Sequence, residues 1–109
     1  MATTYKVLGQ SSPSATTATT LYTVPAATQT IVSTVTVANR AATAGSYRIA
    51  VRVAGASLAN SQYIAYDVSL PANASDTLTL GLTLGATDVI TIYASSADIT
   101  FSAFGSEIA

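Results

Sequence analysis

Residues 76–84 read DTLTLGLTL, with leucine at 78, 80, 82 and 84 and threonine or glycine between them. Successive side chains of an extended backbone point to opposite faces, so this period of two places all four leucines on one side. A strand needs neighbours for its backbone groups, and the segment therefore commits the chain to a sheet with one apolar face. The other face carries no charge. Soluble strands ordinarily place Lys or Glu there, which keeps them hydrated and blunts exposed edges. Threonine keeps a hydroxyl for water or a partner, yet it can be buried at far lower desolvation cost than an ionised group.

The same pattern runs along the chain. Val, Ile, Thr and Tyr are abundant, and strand-like runs occupy 4–9, 20–25, 30–39, 46–54, 62–70, 76–84, 88–94 and 98–105. Turn-forming stretches such as SSPSATTAT, PAATQ, RAATAG and PANAS separate them. Only SLANSQ (57–62) offers a single helical turn. About eight short strands at this spacing predict an all-β chain, a sandwich or a barrel. Hydrophobic residues form 50% of the 109, which is enough to drive folding as one domain. Residues 1–19 read as an N-terminal arm with a short strand, and 20–109 as the β-domain.

Two antiparallel pairings follow from the apolar pattern. Setting Arg48 opposite Asp67 places Tyr47 opposite Val68, Ile49 opposite Tyr66, Ala50 opposite Ala65, Val51 opposite Ile64 and Arg52 opposite Tyr63. One face is then apolar, Tyr47 and Tyr66 included. The other carries an ion pair and an Arg52–Tyr63 cation–π contact. The last two runs pair as a hairpin across SSAD, with Ala94 facing Ile99, Ile92 facing Phe101 and Ile90 facing Ala103. Val89 and Phe104 then form an apolar spot on the reverse face.

The residues for most chemistry are missing. The chain has neither cysteine nor histidine, which removes thiolate ligands, disulfides and the commonest general base. Asp76, Asp88 and Asp98 begin strand-like runs and read as turn residues, and no EF-hand spacing is present. No serine sits in a GxSxG elbow, and GLTLGATD lacks the lysine and helix of a phosphate loop. Asn73-Ala74-Ser75 fits the glycosylation sequon, a pattern common by chance. We therefore expect no enzyme, no cofactor and no metal site. Four basic residues and a net charge of −1 cannot build a surface for nucleic acid or anionic membrane. MATTYKVLGQ lacks the apolar core of a secretory signal, so synthesis in a cytoplasm and use without processing are expected.

Charged residues are 8% of the chain, against roughly 25% in ordinary globular domains. The centres of protein–protein interfaces are depleted in charge and enriched in aromatics, so the outer faces are expected to be covered by other chains. Tyr63 and Tyr93 fall outside the core and suit a neighbouring chain or a glycan. Tyr5, Lys6, Arg40, Arg52, Tyr63 and Tyr93 are the candidate interface residues.

Several stretches carry a resemblance in their order. Val24-Pro25 opens a strand that ends in Val37-Ala38-Asn39-Arg40; RIAVRVAG (48–55), YIAYDVSLPA (63–72), the Thr/Leu strand and FSAFGSEI (101–108) follow. Over roughly residues 20–108 the chain resembles small virion structural proteins of tailed phages, notably cyanophages. That resemblance implies a β-sandwich, often jelly-roll-like, and a virion part with no catalytic residues to transfer. The expected function is a capsid decoration, or cement, protein on the outer surface of the head. It would assemble as a homo-oligomer, a trimer, against the major capsid protein or other virion proteins, after synthesis in the host cytoplasm. The alternative is a short tail or neck fibre module, or a host-glycan-binding adhesin. The N-terminal arm would drape onto a neighbour, with Lys6 and Arg40 touching an acidic capsid surface.

Overall fold

A computed structural model describes residues 2–109. Its strands are β1 (Thr3–Ser11), β2 (Thr19–Thr23), β3 (Gln29–Asn39), β4 (Gly45–Arg52), β5 (Tyr63–Leu70), β6 (Ser75–Leu84), β7 (Val89–Ala94) and β8 (Ile99–Ile108). Two short 3-10 turns, Val53–Gly55 and Asn60–Gln62, lie between β4 and β5, the second inside the SLANSQ segment. All strand pairs are antiparallel, in two four-stranded sheets ordered β1-β8-β3-β6 and β2-β7-β4-β5. The nested pairing of 1 with 8, 2 with 7, 3 with 6 and 4 with 5, shared between two sheets, is the jelly-roll arrangement. The chain is an all-β sandwich, as expected. Thr3–Ser11, read from the sequence as part of an arm, forms an edge strand of the first sheet against β8.

The core lies where the two inner faces meet. Val32, Val35 and Val37 of β3, Ile49 of β4, Ile90 and Ile92 of β7, and Ile99, Phe101 and Ala103 of β8 are almost wholly buried. Tyr47 meets Phe101 edge to face, with ring centroids 6.1 Å apart. Each buried Val, Ile or Phe side chain contributes about 1.5–3 kcal/mol relative to exposure. Two tyrosines tie the sheets together through their hydroxyls. Tyr22 of β2 donates to Glu107 Oε2 of β8 at 2.5 Å, and its oxygen accepts from the Thr30 hydroxyl of β3 at 2.8 Å. Tyr47 of β4 donates to Asp76 Oδ2 of β6 at 2.8 Å. Asn39 fastens one end, its Nδ2 donating to the carbonyls of Thr43, Leu70 and Pro71 while its Oδ1 accepts from Ala41 N–H. Gly105 permits β8 to approach β3 at a bulge, because a Cβ there would lie 2.0 Å from the Ile31 carbonyl oxygen.

Three expectations change. First, β7 and β8 are not a hairpin; they belong to different sheets, and residues 95–98 cross between them. The apolar positions of both strands were correctly placed inward, but apolar faces are buried equally well side by side or opposed across a core about 10 Å thick. Second, the β4–β5 register begins as expected, with Tyr47 opposite Val68, and then shifts to Ile49 opposite Ala65 and Ala50 opposite Tyr63. Third, the leucine face of β6 is only partly covered. Leu84 is buried but Leu80 is 37% exposed, since β6 ends its sheet and faces the half-exposed Ile64 of edge strand β5 across an open cleft of about 380 Å³.

Candidate functional site

The two outer faces of the sandwich differ in chemistry. On the first sheet, rows of neighbouring residues run across the strands: Tyr5, Ser106, Ile31 and Thr83; Val7, Phe104, Thr34 and Thr79; Gln10, Ser102, Thr36 and Thr77. Tyr5 is 83% exposed, and Val7 and Ile31 are also open to solvent. Among the described residues no Asp, Glu, Lys or Arg side chain projects from this face. Lys6, Asp76 and Glu107 stand on the inner side of the same strands. There Lys6 Nζ meets Glu107 Oε1 at 3.0 Å, and Asp76 accepts from Tyr47. The face is hydroxyl-rich and uncharged, with an apolar group of Tyr5, Val7, Ile31 and Phe104.

The second sheet presents a cation held among aromatic rings. The guanidinium carbon of Arg48 lies 4.2 Å from the Tyr66 ring centroid and 4.4 Å from that of Tyr93. Arg48 Nε donates to Asp67 Oδ1 at 2.6 Å and Nη2 to Oδ2 at 3.2 Å, a bidentate pair. Tyr63 meets Tyr66 edge to face at 4.9 Å. The register shift described above creates this group. Asp67 has φ of 50°, a left-handed conformation for which Asp is among the more tolerant residues. The bulge turns Tyr66 and Asp67 to the same outer side, so Tyr66 is 55% exposed rather than in the core as the sequence pattern predicts. A shallow cleft of about 500 Å³ opens between Asn60, Tyr63 and Tyr66.

The ionisable groups respond to these contacts. The Arg48 guanidinium holds the Asp67 carboxyl below its usual range, and Asp67 in turn raises Arg48. Hydrogen bonds from Tyr22, then from Lys6, lower Glu107. Burial, reinforced by the bond to Glu107, pushes Tyr22 up to about 12. Burial and the Asp76 carboxylate raise Tyr47 as well. Each of these shifts accompanies a structural tie, and none leaves a free nucleophile. Among the described residues no three His, Cys, Asp or Glu side chains group as a metal site, and no helix is long and apolar enough to cross a membrane.

The six candidate interface residues are spread over the molecule. Tyr5 lies on the uncharged face, and Lys6 stands on the inner side of the same strand, bound to Glu107. Arg40 braces a loop, donating from Nη2 to the Ala97 carbonyl at 3.2 Å and to Ser12 Oγ at 3.4 Å. Arg52 does not face Tyr63. It donates to the carbonyls of Gly55 and Ala56 and so secures the 3-10 turn after β4. Tyr63 and Tyr93 belong to the Arg48 group. Sequence reasoning anticipated the Arg48–Asp67 pair but assigned the cation–π contact to the wrong arginine. It also did not single out Val7 or Ile31, whose outward direction depends on strand neighbours that the sequence leaves unspecified.

Comparison with protein-family models, curated proteins and solved structures finds no match to this chain.

Proposed function

We propose that this chain is a non-enzymatic structural subunit of a tailed-phage-type virion, a capsid decoration protein that stabilises the head shell as a homo-oligomer, most simply a trimer. The observation that carries this reading is the uncharged outer face of the first sheet. A face without ionised groups can be covered at little desolvation cost. Four strands about 4.8 Å apart and some 30 Å long present roughly 600 Å² of projected area. That approaches the ~800 Å² per partner of an ordinary specific interface. A contact of this size is modest alone, and repetition over symmetry-related sites multiplies it. The jelly roll also occurs in viral capsid domains, which supports the reading at the level of fold and no further. Sedimentation velocity of the purified chain, followed by cryo-microscopy of particles carrying it, tests the proposal. The expected result is a closed oligomer at micromolar concentration and density distributed over the shell. A persistent monomer, or density confined to the tail, overturns it.

A further inference from the structure

The Arg48 group on the second sheet is more elaborate than the sandwich requires. Among the described residues, six non-glycine residues have left-handed φ; five (Thr16, Ala27, Ala54, Asn73 and Thr87) lie in turns, and Asp67 alone lies inside a strand. Its bulge diverts Tyr66 from the core to the surface, where the ring meets Arg48 and Tyr63. Local departures from regular structure of this kind concentrate where side chains are being aimed at something.

The chemistry on offer is specific. Arg48 and Asp67 cancel each other's charge, so the group has no net attraction for a phosphate, an acidic sugar or a cationic peptide. Hydrogen-bonding capacity remains. A carboxylate has about four lone-pair sites, and Arg48 occupies two; a guanidinium has five N–H groups, and Asp67 takes two. The pair is held rigid by two rings and a bidentate contact, so little side-chain freedom is lost when a ligand binds. The Tyr66 ring that packs on Arg48 also lines, with Tyr63 and the exposed Asn60, a shallow cleft of about 500 Å³. That volume falls in the ordinary range for small ligands. Aromatic surface beside fixed donors and acceptors, without net charge, matches a pyranose, which presents C–H groups on its faces and hydroxyls around its edge. We propose that Asn60, Tyr63, Tyr66 and Asp67, with Arg48 as the positioning residue, form a binding site for a neutral saccharide. One sugar ring packs against the tyrosines, and its hydroxyls bond to Asn60 and Asp67. The site does not depend on the oligomeric state, so it stands or falls separately from the assembly proposal.

Saturation-transfer difference NMR on the full chain tests the site. The probes are the methyl glycosides of glucose, galactose, mannose and N-acetylglucosamine, with sialyllactose as the acidic comparison. At least one neutral glycoside is expected to receive saturation. Tyr66→Ala is expected to weaken that binding about tenfold or more, as loss of a tyrosine anchor does, and Asn60→Ala to weaken it less. Ser14→Ala, in the exposed loop before β2, should leave it unchanged. Both cluster substitutions are at exposed side chains, and an unchanged thermal midpoint identifies folded variants. Absence of transfer to every neutral probe, transfer to sialyllactose alone, or undiminished binding by folded Tyr66→Ala and Asn60→Ala overturns the proposal.

Discussion

The outer faces of the two sheets both belong to antiparallel strands, yet among the described residues one carries no ionised side chain and the other carries Arg48, Arg52 and Asp67. On the charged face every one of these groups is engaged within the chain. Arg48 and Asp67 hold each other between tyrosines, and Arg52 grips the carbonyls of a turn. The uncharged face instead leaves Tyr5, Val7 and Ile31 open with no partner of their own. Low charge therefore does not mean one thing across this molecule. On one side it leaves a surface that can be covered cheaply, and on the other the charges that remain shape a local site.

The strongest way to break this contrast is to place a charge on the empty face. Ile31→Lys would bury an unpaired ammonium in any contact made there, at a cost of about 3 kcal/mol or more, on the order of a hundredfold in association. Sedimentation should show dissociation, whereas Ser69→Lys, on the outer side of β5, should assemble like the wild type. Equal behaviour of the two would erase the distinction between the faces.

A smaller effect, on the fold itself, is expected where the sheets are tied. Tyr22→Phe removes bonds to Glu107 and to the buried Thr30, and about 2 kcal/mol of stability should be lost in urea unfolding. Tyr47→Phe removes only the bond to the half-buried Asp76, which water can replace, and about 1 kcal/mol is expected. Loss of assembly with full monomer stability in either variant would mean that these ties serve the interface instead.

The smallest and most gradual effect is with pH. Glu107 and Asp67 have folded-state pKa values below their ordinary ones, so their contribution is present above the usual carboxylate range. It is lost as pH falls through the lowered values. Unfolding midpoints should therefore decline on acidification below about pH 4. Glu107→Gln should reduce that slope, because the carboxylate held low by Tyr22 and Lys6 is then gone. A slope unchanged in this variant would remove Glu107 from the account.

The strand positions were legible because period two is a property of single residues in order, and β3 and β6 show it plainly. Pairing was less legible. Ile90, Ile92, Ile99 and Phe101 announce that they are buried, but not whether their strands lie beside or across from one another. The Arg48 group was half legible. Charge complementarity pointed to Asp67, while the bulge that exposes Tyr66 has no glycine to mark it, only an aspartate that tolerates left-handed backbone. The uncharged face was visible as composition from the start, and its location on the first sheet needed the topology.

Thiol labelling compares the two faces directly, since the chain has no native cysteine. Thr79→Cys and Ser69→Cys place single thiols at exposed positions on the outer sides of edge strands β6 and β5. At concentrations where about nine-tenths of chains are assembled, Thr79→Cys should react about tenfold more slowly than Ser69→Cys, and dilution should abolish the difference. Equal rates at every concentration would show that water reaches both faces alike and would contradict the account.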